Sequence, residues 1–250
     1  MLVVVSPAKK LDMDPVAGVK PTQPIFPERT QELVFEAAKL SSAELEKLMK
    51  ISPNLAKLNQ QRFTEFGTQS RKPAAFAFAG DTFQGLEAAT LEDDALRWAQ
   101  EHLRILSGLY GILRPLDEIE PYRLEMGSRL KTKRGKNLYE YWGSALALEL
   151  NAQAQTSKSE AVVNCASHEY FSAVDIKSLT IPVISPIFME ATDKGPKIVS
   201  FYAKRARGAM ARYIVSHRVK NMASLLEFDS GGYCYNPDLS TEDKPVFLRA

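Results

Sequence analysis

The chain has 250 residues, 45% of them hydrophobic and 25% charged, an ordinary globular composition with enough apolar material for a substantial core. Lys and Arg number 32 against 30 Asp and Glu, so the formal net charge of +2 excludes a histone-like field and confines any polyanion binding to a local patch. Met1 to Val5 is too short for the apolar region of a signal peptide and no later run is long enough to cross a bilayer; the expectation is a cytoplasmic protein, off the membrane, with Cys165 and Cys234 as reduced thiols.

Val3-Val4-Val5 predicts a short buried strand, broken at Ser6-Pro7, that delivers Lys9, Lys10 and Asp12 into a loop. Pro15, Pro21, Pro24 and Pro27 hold an irregular connection before an amphipathic helix over Thr30 to Leu40. Ser41 and Glu44 have capping-box spacing and start a second helix that runs to about Met49, and Ser52-Pro53 caps and opens a third that ends near Gly67. Ala74 to Ala79 is expected as a strand stopped by Gly80, and Leu91 to about His102 as a helix, with Leu103 to Leu106 either extending it or beginning a strand. Further strands are expected at Ala161 to Asn164, Ile181 to Met189 and Lys197 to Ser200, followed by a basic helix from Phe201 to about Lys220. Strands and helices interleave without a repeat or linker, which predicts a single α/β or α+β domain over residues 1–250, with a helical hairpin at about 41–67.

The basic helix carries the densest functional signal. Tyr202, Ala206, Ala209, Met210, Tyr213 and Ile214 form an apolar stripe, while Lys204, Arg205, Arg207, Arg212 and Arg218 share the other half. Gly208 costs about 1 kcal/mol against alanine in a helix, so its position among arginines predicts a close approach to the backbone, with a phosphate as the candidate. A solvated, purely solubilising face is the bland alternative and, for a charge run taken alone, the more common one.

Lys50-Ile51-Ser52-Pro53 between two short helices has the layout of a helix-hairpin-helix, in which backbone N–H groups at a helix start meet a phosphate. Lys50 and Ser52 stand where that motif has glycines, and an ordinary helical hairpin is about as common. Glu120 to Gly127, rich in Pro, Tyr, Arg and acids, reads as a loop lining a site, and Arg129 to Lys136 as a basic arm or a mobile solvated loop. Asp81, after the expected Phe76 strand, and Asn164 to Tyr170, after the Ala161 strand, occupy strand ends where open α/β sheets keep their sites. Ser167, His168 and Glu169 are adjacent, but triad members arrive from separate segments. Three histidines and two cysteines leave too few ligands for a zinc site, and neither a P-loop nor a G-x-G-x-x-G run occurs; no metal or cofactor is assigned.

Taken together, Ser6-Pro7-Ala8-Lys9, Gly80-Asp81, Leu106 to Gly111, Arg114-Pro115-Leu116-Asp117, Pro121 to Gly127, Ala166-Ser167 with Glu169-Tyr170-Phe171, and Lys204 to Gly208 resemble the motifs of the YaaA family of bacterial peroxide-stress proteins over essentially the full length. The resemblance implies a compact α/β domain of unusual topology, the cantaloupe fold, with a positively charged cleft and a helix-hairpin-helix that bind duplex or branched DNA without sequence preference. It makes Lys9, Arg114, Arg123, Lys204, Arg205, Arg207 and Arg212 the cleft candidates, to which the hairpin reading adds Lys50 and Ser52. The alternative is an enzyme acting on a phosphate-bearing small molecule or nucleotide, with Asp81, Glu125 and Lys9 as its acid–base groups, since carboxylates beside arginines are costly for passive DNA binding.

Overall fold

The computed structural model describes residues 1–250. Strand β1 (Leu2–Val5) is buried along its whole length. Helices α1 (Pro27–Ala38), α2 (Ser42–Met49) and α3 (Pro53–Thr64) follow; the expected capping box of Ser41 and Glu44 forms, and the Ser52 hydroxyl accepts the Leu55 N–H at 3.4 Å. The chain continues through β2 (Lys72–Pro73), α4 (Ala74–Ala77), α5 (Asp81–Leu86), α6 (Asp93–His102), β3 (Leu103–Ser107), β4 (Gly111–Leu113), β5 (Glu118–Ile119), α7 (Leu138–Trp142), α8 (Ala145–Ser157), β6 (Val162–Cys165) and α9 (His168–Phe171). It ends with β7 (Val183–Ile184), β8 (Ile187–Glu190), α10 (Ser200–His217), α11 (Met222–Leu226), β9 (Tyr233–Thr241) and β10 (Lys244–Arg249). No helix is long and apolar enough to cross a membrane.

This is an α/β architecture. The larger sheet has the order β4-β3-β1-β6-β7, with β1 parallel to β3 on one side and to β6 on the other. A strand flanked by parallel neighbours and covered on both faces needs side chains that are apolar without alternation, which is what Leu2 to Val5 supplies. From β1 the chain moves outward to β3 and β4, whereas from β6 it moves the other way to β7. The connections therefore diverge between β1 and β6, the place where open α/β sheets leave a crevice beyond their strand ends.

A smaller sheet of order β8-β10-β9 lies alongside, and α10 packs on β1, β6 and β8, bridging both sheets. The expected single strand over Ile181 to Met189 is split by Ser185-Pro186. Pro186 has no N–H to give a ladder, and Ser185 N–H turns away to the Asp243 carbonyl at 2.7 Å, so β7 and β8 join different sheets.

Two other expectations are corrected. Ala74 to Ala79 is not a strand: four alanines with no β-branched residue favour helix, and α4 forms instead. Asp81 therefore opens α5 rather than following a strand. Lys197 to Ser200 contributes only a bridge between Lys197 and Glu190 before α10 begins at Ser200. The ambiguous Leu103 to Leu106 stretch is β3.

Gly208 does mark a close approach, but the visitor is protein. A Cβ there would lie 1.8 Å from the Thr82 carbonyl oxygen, and one on Gly85 would lie 2.0 Å from the Arg205 carbonyl. The two glycines let α5 and α10 cross backbone to backbone, so no phosphate reaches Gly208.

Candidate functional site

At the carboxyl ends of β1 and β6, the Ser6 hydroxyl accepts the Ser167 N–H at 2.8 Å and donates to the Ser167 hydroxyl at 3.3 Å, tying the two strand-end loops together. A strap, Pro121 to Gly127, runs over this crevice. The Tyr122 hydroxyl bonds Ser107 at 2.6 Å; the Leu124 carbonyl lies 2.2 Å from where a Cβ on Gly108 would be; and Gly127 N–H donates to Glu169 at 3.0 Å. Gly108 is thus required by the strap's passage past the end of β3, and through Glu169 the strap also touches α9, the helix after β6.

Its Glu125 carboxylate, 16% exposed, holds two cations on one oxygen: Lys9 Nζ at 3.1 Å and Arg123 Nη2 at 3.0 Å. The Arg123 Nε is buried and has no hydrogen-bond partner. Tyr170 sits beneath and bonds the Met126 backbone, and its burial pushes the phenol well above its ordinary range. Asp81 is one residue from Gly80, which packs on Ala8, so α5 begins beside the Lys9 loop. The space left among Lys9, Tyr122, Arg123, Glu125 and Tyr170 is only about 10 Å³, room for a single water at most.

The remaining predicted residues lie elsewhere. Arg114 is committed to Asp117, a fully buried carboxylate 2.8 Å away, and to the Gln23 carbonyl at 2.9 Å. Arg212 caps the end of α5, donating to the carbonyls of Leu86, Glu87 and Thr90 at 3.0, 2.8 and 3.3 Å. Lys50, left-handed at φ 51°, and Ser52 join α2 to α3, which pack on each other, with α3 also against α1. Arg207 faces the end of β6: burial raises the Cys165 thiol to about 12, against a smaller downward pull from Arg207. Lys204 is exposed.

Arg205 opens into a different space, a cavity of about 650 Å³ between α5, α10 and the small sheet, lined also by Tyr202, Arg212, Tyr213, Tyr233 and Arg249. No group of three or more His, Cys, Asp or Glu side chains has the spacing to hold a metal ion.

The pattern described as Peroxide stress protein YaaA matches residues 1–239. The chain belongs to this family. UPF0246 proteins resemble it end to end: that of Ruegeria pomeroyi is 58% identical over 253 residues, covering 100% of this chain and 98% of the relative. That of Roseobacter denitrificans is 56% identical over 255 residues with 100% and 98% covered, and that of Dinoroseobacter shibae 54% over 253 residues with 100% and 95%. YaaA membership supports a role in the response to peroxide stress.

Two features escaped the sequence reading of this YaaA member. The Ser6 and Ser167 pairing was legible only as two serines that each follow an apolar strand. In the cavity beside α10 the sequence pointed only to residues of α10 itself, Tyr202, Arg205 and Arg212, since Tyr233 and Arg249 join it from far along the chain.

Proposed function

We propose that the protein serves peroxide defence by holding DNA through its phosphate backbone, largely without sequence preference, and so works in the cytoplasm. The observation that carries this reading is that Lys204, Arg205 and Arg207 fall within one turn of α10 and none is paired with a carboxylate, unlike Lys9, Arg114 and Arg123. Unpaired cations on one helix are what a polyanion displaces counterions to reach. Lys9, 68% exposed despite its tie to Glu125, and the exposed Lys50 of the α2–α3 hairpin add the same surface chemistry. The cantaloupe topology and the helix-hairpin-helix role of Lys50 and Ser52 belong to this proposal. The test is a salt titration with labelled duplex: affinity falls steeply with salt, and Lys204→Ala and Arg207→Ala each reduce the log–log slope by about 1. A flat titration rules the reading out.

A second reading has its own observation. The buried, unpartnered Arg123 Nε beside Glu125 at the β1–β6 divergence is suited to a phosphate-bearing small molecule, with Lys9, Asp81 and Glu125 as proton-transfer groups. Inorganic phosphate binding that needs Arg123 and frees Lys9 from Glu125 supports it; no binding by the intact protein dismisses it.

A further inference from the structure

From the geometry of the cavity beside α10 we infer a binding site for a small nucleoside phosphate, separate from the crevice under the strap. Its volume of about 650 Å³ falls within the usual range for small-molecule sites, roughly 300–1,000 Å³. Three arginines line it, Arg205, Arg212 and Arg249, against Glu87 in the lining and Glu190 paired with Arg249 behind it. A recess with that balance selects an anion.

Two of the arginines have donors to give. Arg249 is fixed in place: its Nε donates to Glu190 at 2.7 Å, and its guanidinium lies over Tyr202 with Cζ 4.2 Å from the ring centroid and 5.1 Å from that of Tyr233. The Tyr233 hydroxyl donates to the same Glu190, so the carboxylate holds both walls. With Nε used and the plane fixed, the two outward Nη groups form a preorganised fork of the kind that meets phosphate oxygens. Arg205, one turn from Tyr202, has neither an ion pair nor a side-chain hydrogen bond and is exposed, so it closes on the same oxygens without giving up a partner.

The second half of the ligand is set by the rings. Phe201 and Tyr202 are 50% and 42% exposed and stand edge to face, 5.5 Å apart, at the mouth of the cavity. The Arg249 guanidinium covers one face of Tyr202, and a base that stacks on the opposite face or on Phe201 carries its phosphate toward Arg205 and the Arg249 fork. An anion without a ring would leave the exposed parts of Phe201 and Tyr202 wet. A neutral ring would leave the Arg205 guanidinium and the Arg249 Nη groups unmatched. Duplex DNA is too wide for a recess of this size and would touch only its rim.

The inference does not depend on DNA binding. The experiment is calorimetric titration of the intact protein with adenosine 5′-monophosphate, adenosine and inorganic phosphate, with a short single-stranded oligonucleotide as a fourth probe. The monophosphate binds saturably, and each of the two fragments binds at least roughly tenfold more weakly. Tyr202→Ala and Arg205→Ala, both at exposed positions, each weaken the monophosphate roughly tenfold, while Tyr202→Phe keeps the stack and the affinity. On the unsubstituted protein, the monophosphate shifts NMR signals of Phe201, Tyr202 and Arg249, a readout independent of how the variants fold. Absence of saturable monophosphate binding overturns the inference, as does binding that ignores both alanine variants. Binding of the oligonucleotide through Tyr202 without binding of the monophosphate also overturns it and gives the groove to nucleic acid.

Discussion

At the carboxyl ends of β1, β3 and β6, Lys9 and Arg123 converge on one Glu125 oxygen under a strap that leaves about 10 Å³. Beside α10, Arg205 and Arg212 share about 650 Å³ with Arg249 of β10, against Glu87 in the lining and Glu190 paired with Arg249. Both regions are dense in arginine and tyrosine, yet one is closed and charge-compensated and the other open and cationic. The difference comes from the backbone: the strap is pressed onto Gly108 and tied to Glu169, whereas α5, α10 and the small sheet meet only partway and leave the recess open between them. Cation count along a sequence therefore says little about which surface is accessible; the acids brought in from other segments decide it.

The largest effect is expected where the two regions share support. The α5–α10 crossing holds α10 for the groove and Asp81 beside the crevice. In Gly208→Ala a methyl meets the Thr82 carbonyl, backbone that a rotamer change cannot clear, so stability drops by about 3 kcal/mol or more and the melting temperature by roughly 6–12 °C. Gly18→Ala, at φ +77° but with nothing within 4 Å of its added methyl, costs about 1 kcal/mol. Thermal melts of equal depth for both would mean the crossing is not tight.

The charge contrast is broken next. Glu125→Ala leaves Lys9 and a mostly buried Arg123 facing each other, at a cost of about 1–3 kcal/mol, softened because Lys9 is largely in water. Arg205→Ala removes a cation that compensates nothing and changes stability by less than about 0.5 kcal/mol. Denaturant midpoints of the two variants measure the comparison directly, and a larger loss for Arg205 would reverse it.

Much of this fold could be read before its coordinates. Capping chemistry is local, so Ser41 with Glu44 and Ser52 with Pro53 marked α2 and α3, and the Val-rich runs marked β1 and β6. Long-range decisions were not legible. Whether Ala74 to Ala79 is helix depended on propensity that two phenylalanines disguised, and Pro186 divided one apolar run between two sheets. For the site, Lys9, Arg123 and Glu125 were named from separate segments and do meet, but Arg114 and Arg212 turned inward to Asp117 and to the end of α5. Gly208 signalled contact correctly without saying what makes the contact. A helical wheel shows direction and never the neighbour.

Acid sharpens the comparison on the closed side. His102, which leads into β3, is 8% exposed and stacks on Trp98 at 3.7 Å, and burial lowers its pKa from the ordinary 6.5. The unfolded chain therefore binds the proton more readily than the folded one. Its contribution is fully present above pH 6.5 and declines as pH falls through that value toward the depressed folded pKa. His102→Gln should flatten the stability profile across that acid range, as followed by urea midpoints from neutral to mildly acidic pH. An unchanged slope would mean that His102 is not kept neutral.

The smallest effect concerns the two thiols. Cys165 ends β6, and burial pushes its thiol up to about 12, whereas Cys234 on β9 is exposed. Thiolate is the species that reacts with peroxide or with a disulfide reagent, so at neutral pH Cys165 should be silent and Cys234 should react. A thiol count with a chromogenic disulfide should find Cys234 alone in the native protein and both cysteines after denaturation. The strap is tied through Gly127 to Glu169, in the helix that follows β6, so its opening can be tested on the same thiol. Native labelling of Cys165 that accelerates in Glu125→Ala would show that the strap opens and that the ion pair, rather than burial alone, keeps this side of the sheet shut. Labelling that is fast in the wild type would remove the distinction between a sealed region and an open one.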